Sequence, residues 1–546
     1  MRKRIHLSCL LAASTCLTAE TASADFTIGP GQTVNATQTL TSNETGTVEA
    51  GGTLITNGDA ITGNDGNTII NAGIVTSGDE AIEVGIGNTI TNSGTLISGG
   101  EGIQANSNNV ITNTGTITSD DEGIRVQSGN TISNSGTVIS TNDDAVDFRG
   151  SNNILRLLAG SALQGNLALR NATNTLIIGP GLNTALGFTG DPTIQADGLP
   201  FVVVNDTVYV VDVTGFSVHD EMVGDLTRSV GRSLEDRLSA ARQGEESDAL
   251  SALALGYAPM APVMGIAETP SNGFWASGLG GYRSQDGGTT TLDFETRFAG
   301  ALGGFDTMVA PETRLGVFGG LSFADVDTGV VGQELSASSV FGGLYLGQDL
   351  GHYTLDASLT AGWTDFDSER RVASNAVVGG IETARASYGG AFISPALTLG
   401  TDFSVGTGTL SPSMRVRYAG LFLDSYTETG SAANLTVGER AIHIFEAGAE
   451  LTYALAALDT GAGVFEQSFS VGVDGTLVEG DAVSATVVGQ ALSFNAETDD
   501  TVRGFLGYDV AIAMTERTSL SVSAEAGYDS NGALTLDGRA GLSLAF

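Results

Sequence analysis

A short motif returns every 21 residues in the first third of the chain. Asn67-Thr68-Ile69 recurs as Asn88-Thr89-Ile90, and further copies begin at Asn109 and Asn130. Each repeat holds three short β-prone pieces separated by Gly, Asn, Ser or Asp, which is the plan of a parallel β-helix with three strands per coil. A fixed period decides the architecture before local propensity does, so the repeat predicts a right-handed parallel β-helix over residues 25–178.

Equivalent positions of stacked coils lie about 4.8 Å apart, so inward-facing side chains are expected to form columns. A last copy of the motif, Asn153-Ile154, follows after one extra residue near Thr141, and places Ile154 in the first apolar column. The predicted inward columns are Ile69, Ile90, Ile111, Ile132 and Ile154; Val75, Leu96, Ile117 and Val138; Ile82, Ile103, Ile124 and Val146; and Val84, Ala105, Val126 and Phe148.

Asparagines keep the same 21-residue step at Asn71, Asn92, Asn113 and Asn134. Two interpretations fit them. The amides form either a ligand or glycan surface, or a ladder of side-chain hydrogen bonds that closes each turn along the stack. We favour the ladder.

Carboxylates also recur at one position of the coil, within roughly 5 Å in successive coils by the strand spacing. This spacing resembles the acid pair of a retaining glycosidase or a stack that bridges Ca²⁺, whereas the simplest interpretation is a solvated acidic turn. We favour the solvated turn and assign no catalytic, cofactor-binding or metal-binding residue. The column consists of Glu80, Glu101, Glu122 and Asp144, flanked by Asp79, Asp121 and Asp143.

Charge and residue usage exclude several functions. The chain carries 62 Asp and Glu against 23 Lys and Arg, a net charge of −39, and therefore repels nucleic acid. Residues 25–215 contain no His, Cys or Lys, so neither a Ser-His-Asp nor a Cys-His arrangement can form there. We expect a protein that is not an enzyme and needs no cofactor.

The first residues have the features of an export signal. Arg2, Lys3 and Arg4 precede an apolar stretch that ends near Leu17, and Ala22-Ser23-Ala24 offers small residues for cleavage. Residues 1–24 are predicted to be a signal peptide.

Three segments connect the β-helix to the rest of the chain. Residues 179–216 contain two Val-rich pieces predicted to cap the last open coil. Residues 217–243 show a helical period, and charges such as Asp225, Arg228 and Arg232 forbid lipid contact with this helix. A linker over 244–273 follows.

From residue 274 to 546, about twelve stretches alternate apolar with small or polar side chains. Leu534, Leu536 and Leu542 fall on one face of the last stretch, opposite Thr535 and Arg539. An open sheet could not hide its edges in hydrocarbon, so the pattern predicts a closed barrel with a polar lumen. The polar face also receives Arg415, Arg417, Glu446, Glu450, Arg503, Asp509 and Glu525. We expect four of these lumen carboxylates to pair with arginines of the 217–243 helix: Glu446, Glu450, Asp509 and Glu525.

In this order, the segments resemble the monomeric autotransporters, the type V secretion proteins of Gram-negative bacteria. The resemblance rests on the signal peptide, the Asn/Gly/Thr-rich repeats, the Val208–Asp212 junction, the helix, the opening Phe274-Trp275-Ala276-Ser277-Gly278 and the terminal Phe546. It implies a 12-stranded antiparallel outer-membrane β-barrel with the linker α-helix in its pore, and a last strand read by the outer-membrane assembly machinery. Some members cleave themselves at paired Asn residues in the helix, but here no Asn lies between Asn205 and Asn272.

These features predict an all-β protein of the outer membrane that displays or exports its β-helix passenger at the cell surface for adhesion or another surface interaction. The expected partners are outer-membrane lipid, the assembly machinery through Phe546, and an unknown extracellular ligand. Two alternatives remain open. The passenger is a carbohydrate-active enzyme that uses its acidic column, or the chain is a porin-like channel.

Overall fold

The computed structural model describes residues 25–255, 272–328, 332–460, 463–496, 500–515 and 517–545. The predicted signal peptide, the linker segment 256–271 and Phe546 lie outside the described residues. Among the described residues, no helix is both long and apolar enough to cross a lipid bilayer.

Residues 25–195 form a parallel β-solenoid whose coils stack in three sheets. The solenoid continues beyond residue 178, the predicted end, because Phe188 and Ile194 occupy inward positions without the Asn and Gly motif. Phe188 aligns with Leu167, and Ile194 aligns with Leu176.

The strands follow the sheets in chain order. The first sheet contains Phe26–Ile28, Thr45–Val48, Thr68–Asn71, Thr89–Asn92, Val110–Asn113, Thr131–Asn134, Ile154–Leu157, Thr175–Ile178 and Thr193–Gln195. The second contains Thr33–Val34, Thr53–Ile55, Ile74–Ser77, Thr95–Ser98, Thr116–Ser119, Thr137–Ser140 and Ala162–Gln164. The third contains Gln38–Leu40, Ile61–Gly63, Ile82–Val84, Ile103–Ala105, Ile124–Val126, Val146–Phe148, Leu167–Ala168 and Asn183–Thr189.

The predicted apolar columns are present, with one correction. Ile90 aligns with Ile111 and Ile111 with Ile132, and all three are fully buried. Ile132, however, aligns with Leu155, whereas the predicted member Ile154 points outward. Two residues rather than one are inserted between these coils, and the second insertion shifts the register by one.

The glycine column lies at a corner where successive coils touch. A Cβ atom on Gly94 would lie 2.2 Å from the carbonyl oxygen of Gly73, and one on Gly115 would lie 2.1 Å from that of Gly94. Gly136 repeats this contact on Gly115. Any side chain at this corner would therefore push the coils apart.

A β-hairpin closes the solenoid. Its strands Phe201–Val204 and Thr207–Val210 pair antiparallel, and the second strand also pairs with Asn183–Thr189. This hairpin is the predicted capping element.

Helix α1 spans Thr214–Leu255, longer than the predicted 217–243. Gly244 does not end the helix, because the following residues 245–255 are mainly Glu, Ser, Ala and Leu, which tolerate or favour helical backbone. At 1.5 Å per residue the helix is about 63 Å long, roughly twice the hydrocarbon thickness of a membrane.

Twelve long antiparallel strands form a closed barrel, in which the last strand pairs with the first. The strands are β1 Asn272–Gln285, β2 Phe294–Ala310, β3 Thr313–Asp327, β4 Gln333–Asp349, β5 Thr354–Ser374, β6 Ile381–Gly400, β7 Gly408–Leu423, β8 Arg440–Ala454, β9 Val464–Gly480, β10 Thr501–Thr515, β11 Thr518–Asp529 and β12 Leu534–Ala545.

Apolar side chains cover the outside of the barrel, and polar side chains face the lumen. On β12, Leu534, Leu536 and Leu542 are exposed outward, while Thr535 and Arg539 are buried. The barrel thus has the two faces that its alternating sequence predicts.

The barrel rim beside the solenoid carries additional structure. Strands Tyr426–Thr427, Leu435–Val437, Val483–Val487 and Gln490–Phe494 form a four-stranded sheet, the rim sheet. At the opposite rim, the short strands Phe403–Val405 and Leu458–Asp459 lie in the turns that follow β6 and β8, where they pair with β7 and β9. Helix α1 runs through the lumen between the two rims and contacts strands β1–β8 and β12.

Candidate functional site

The buried lumen around α1 contains many paired charges. Arg228 donates to Glu446 on β8 from Nε at 3.0 Å and from a terminal nitrogen at 2.8 Å. The same guanidinium donates to Asp225 at 2.7 Å, and Arg417 on β7 approaches Glu446 from the other side at 2.8 Å. One wall carboxylate therefore binds one helix arginine and one wall arginine.

Two further helix arginines repeat this arrangement. Arg232 pairs with Glu450 on β8 and lies 3.3 Å from Glu525 on β11. Arg237 donates to both oxygens of Asp306 on β2, at 2.7 and 2.8 Å.

The acidic residues of the helix bind wall arginines in return. Arg283 on β1 lies 2.8 Å from Glu221 and donates to Asp225 at 2.9 Å. Arg415 donates to Glu235 at 2.8 Å, and Arg539 donates to Asp236 at 2.9 Å. A buried charge is tolerated only when it is paired and hydrogen-bonded. The ion pairs that run in both directions between helix and wall therefore fix the helix in the lumen.

The helix also has an apolar stripe. Met222, Leu226, Val230, Leu234 and Leu238 are buried, as their helical spacing predicts. They belong to one cluster with inward aromatic residues of the wall, including Trp275 and Tyr345. Apolar packing and ion pairs therefore both hold α1 in the lumen.

Three of the four predicted lumen partners, Glu446, Glu450 and Glu525, bind helix arginines. The fourth, Asp509, instead accepts a hydrogen bond at 3.4 Å from Ser468 on the neighbouring strand.

Sequence reasoning missed the polar cluster around Asp306. This aspartate is fully buried and also accepts hydrogen bonds from Arg314 at 2.6 Å and from the Tyr345 hydroxyl at 2.7 Å. Trp275 donates to the Tyr345 oxygen at 2.6 Å. Strand alternation would place Asp306 inside, but partner choice depends on the stagger between strands, which the alternation does not give.

The helix leaves narrow gaps beside it. One lies between α1 and the wall near Ala357, Ser358 and Ala396. A second lies near Gly224 and Thr476. Residues of both α1 and the wall line each gap, so the helix divides the space inside the barrel.

The acidic column of the solenoid is partly neutralised. Glu101 and Glu122 are buried, and Arg125 pairs with both of them. Arg149 lies 2.7 Å from Glu122 and also pairs with Asp147. The predicted fully solvated turn is thus wrong for these carboxylates, which form an ion-pair ladder along the stack. Asp144, further along the column, accepts a hydrogen bond from Asn166 at 3.0 Å.

The ladder lacks an arginine in the earlier coils. Oxygens of Asp59, Asp79 and Glu80 lie within 4.8 Å of one another. Burial, and secondarily a hydrogen bond with Asp59, raise the pKa of Glu80 to about 7. Glu80 is therefore protonated in about half of the folded molecules near neutral pH.

The asparagine columns are interior ladders. Asn71 donates to Asn92, Asn92 to Asn113 and Asn113 to Asn134, each at 2.7 Å. All four side chains are buried. The amide-ladder interpretation is confirmed, and these residues do not form a ligand surface.

Comparison with known proteins concerns the barrel. The family described as autotransporter beta-domain matches residues 274–543. The translocator domain of autotransporter NalP from Neisseria meningitidis is 16% identical, and the match covers 56% of this chain and 97% of that chain with a TM-score of 0.42. The β-domain of the Bordetella autotransporter BrkA is 18% identical, with 50% and 100% covered and a TM-score of 0.38. No curated protein matches the chain.

Proposed function

With a C-terminal barrel of the autotransporter β-domain family, this chain is an outer-membrane autotransporter, and we propose that it displays its β-solenoid at the cell surface as an interaction module. The order of the segments along the chain supports this proposal. Residues 25–210 form the solenoid and hairpin at one rim, α1 passes through the lumen, and β1 follows on the same chain.

The orientation is testable with two epitope insertions. A tag at Asp65, in an exposed solenoid turn, is expected to bind antibody on intact cells. A tag at Glu312, in the exposed turn between β2 and β3 at the opposite rim, is expected to bind only after the outer membrane is permeabilised. Equal labelling of both sites on intact cells would contradict the proposal.

Adhesion or another surface interaction is the proposed role of the solenoid. Its outer sheet faces combine threonines with the exposed side chains of Ile55, Ile74, Ile97 and Val110. Such a face offers regularly spaced methyl and hydroxyl groups to a repeating ligand. Purified full-length protein in micelles is expected to bind cell or polysaccharide surfaces, and reduced binding by Ile97→Asp with retained folding supports this role.

A carbohydrate-active enzyme is the second candidate, because the column carboxylates are closely spaced. The pairing of Arg125 with Glu101 and Glu122 disfavours it, since both carboxylates already have a cationic partner. Polysaccharide cleavage by the full-length protein that is lost in Glu122→Gln would support the enzyme and contradict a purely adhesive role.

A porin-like channel is the third candidate, and conductance tests it. The barrel with residues 217–273 is expected to conduct poorly in planar bilayers, because α1 fills the lumen. Removal of residues 217–243 is expected to produce larger and more frequent openings. Equal conductance of the two folded proteins would favour the channel.

Assembly is proposed to depend on Phe546, which lies outside the described residues. It follows β12, whose exposed leucines end in Leu544. Deletion of Phe546 is expected to lower outer-membrane levels by removing part of the assembly signal, whereas Leu534→Ala at the opposite end of β12 serves as the control. Normal levels of the deletion protein would contradict this role.

A further inference from the structure

We infer that the barrel rim is a socket that holds the solenoid non-covalently, so that the solenoid stays bound even when the chain between the two is cut. The rim socket consists of the end of β5, the loop 375–380 and the rim sheet. The inference deepens the proposed display function, because it assigns a permanently attached rather than a released solenoid.

Backbone pairing joins the two parts. Strand Asn183–Thr189 pairs in parallel with the end of β5, in the register Asn183 with Val372, Thr184 with Ala373 and Ala185 with Ser374. The same solenoid strand pairs with Leu167–Ala168 of the preceding coil. The third solenoid sheet therefore continues into the barrel wall without a break.

Asn375 extends this pairing with its side chain. Its amide nitrogen donates to the carbonyl oxygens of Gly187 at 2.7 Å and Gly165 at 3.1 Å. Its amide oxygen accepts from the Gly187 backbone nitrogen at 2.8 Å. One rim side chain thus binds two successive solenoid coils, and Gly379 adds a bond to Gln164 at 2.9 Å.

A buried ion pair of the barrel also contacts the solenoid strand Asn183–Thr189. Arg370 pairs with Glu428 of the rim and donates to the side-chain oxygen of Asn183 at 3.1 Å. Asn183 also accepts from the backbone nitrogen of Asp212 at 2.8 Å. Gln333 on β4 donates to the backbone oxygen of Asp212 at 3.3 Å. The barrel therefore binds both the solenoid strand and the segment that enters α1.

An apolar cluster completes the socket. Ala185 of the solenoid packs with Val211 of the junction, Phe216 of α1, Val372 and residues of the rim sheet. The rim residues in this cluster include Leu435, Val437, Val483, Ala485, Val487 and Leu492. Burial of this apolar surface stabilises the docked state, because it removes these side chains from water.

The junction itself offers no exposed segment to a protease. Residues 210–214, which join the hairpin to α1, are all buried. The nearest exposed turns are Asn205–Asp206 and Asp197–Gly198. A cut at either turn leaves Asn183–Thr189 on the solenoid fragment, still paired with the rim.

The test uses full-length protein in detergent micelles with a recognition sequence for a site-specific protease inserted between Asn205 and Asp206. After cutting, the fragments are expected to co-elute in size-exclusion chromatography and to separate only in denaturant. A second protein with the insertion between Asp197 and Gly198 repeats the test if the first insertion impairs folding. Separation of the fragments in native buffer, after an unchanged melting curve before cutting, would overturn the inference.

Asn375→Ala is expected to raise the dissociation rate of the nicked solenoid by about tenfold or more, because it removes three hydrogen bonds. Asn531→Ala, in a different rim loop, is the matched control and is expected to leave the rate unchanged. Equal rates for both variants would overturn the assigned role of Asn375. The micelle experiment does not depend on cell topology, so failure of surface labelling and failure of the socket are distinguishable.

Discussion

Asn92 in the solenoid and Arg228 in the barrel lumen are both polar side chains that solvent hardly reaches, yet their partners differ in kind. Asn92 binds the same residue type one repeat before and after it. Arg228 binds Glu446, which lies 218 residues away in sequence. Repetition lets neutral amides satisfy one another, whereas a lumen that encloses a single helix needs specific pairs of opposite charge.

A charge introduced into an apolar column of the solenoid is expected to have the largest effect on stability. Ile111→Asp places a carboxylate in a column with a coil on either side, where it has no cationic partner, and should cost roughly 5 kcal/mol or more. Val110→Asp, at the neighbouring outward position, is the control and should change stability little. Far-ultraviolet melting of the full-length protein measures both, and coincident curves for Ile111→Asp and wild type would refute the column assignment.

Removal of a shared carboxylate tests the lumen. Glu446→Ala leaves Arg228 and Arg417 facing each other without their common partner and should destabilise the barrel by about 3–5 kcal/mol. The exposed pair of Arg385 and Glu369 provides the control, because Glu369→Ala should cost less than about 1 kcal/mol. Urea unfolding in micelles compares them, and equal losses would mean that the lumen pairs contribute no more than surface pairs.

Loss of one amide tests whether the ladder is cooperative. Asn92→Ala removes its hydrogen bonds with Asn71 and Asn113 and should cost about 1–3 kcal/mol. The exposed Asn106 is a matched control, since Asn106→Ala should change stability by less than about 0.5 kcal/mol. A cost for Asn92→Ala as small as that of the control would show that the buried amides are satisfied without each other.

Protonation of Glu80 gives the smallest expected effect. Its folded pKa of about 7 lies above the ordinary value, so ionisation disfavours the fold, and local stability should fall as pH rises from about 4.5 to 7. Asp59 and Asp79 lie beside this carboxyl, and Gln104 donates to it at 3.4 Å and to Glu83 at 3.5 Å.

Glu80→Gln should remove this dependence and protect residues 59–84 at pH 8 more than in wild type. Hydrogen exchange, corrected for the intrinsic pH dependence of amide rates, measures it. Identical pH profiles for the two proteins would contradict the raised pKa.

The difference between the two regions also explains what the sequence could predict. In the solenoid, partners lie one period apart, so Ile111 and Asn92 were placed correctly from spacing alone. Ile154 was misplaced because Leu155 beside it is equally apolar, and the pattern cannot decide which of them continues the column after an insertion.

In the barrel, alternation predicts which side chains face the lumen but not which ones meet. Glu446 and Glu450 were expected to bind helix arginines, and they do. The contacts of Asp306 with Arg237 and Tyr345 depend on strand stagger and helix rotation. Neither of these produces a residue pattern with a fixed spacing in the sequence.

The glycine column fixes the spacing between coils, so the solenoid can change length only in equal steps. Gly73, Gly94, Gly115 and Gly136 keep successive coils at strand spacing, so the nine strands of the first sheet span roughly 38 Å at about 4.8 Å per step. One repeat can be duplicated or removed with its glycine, its asparagines and its apolar positions intact. Each such change would move the outermost coil by about 5 Å relative to the rim, so the reach of the molecule is adjustable in fixed increments without redesign of its core.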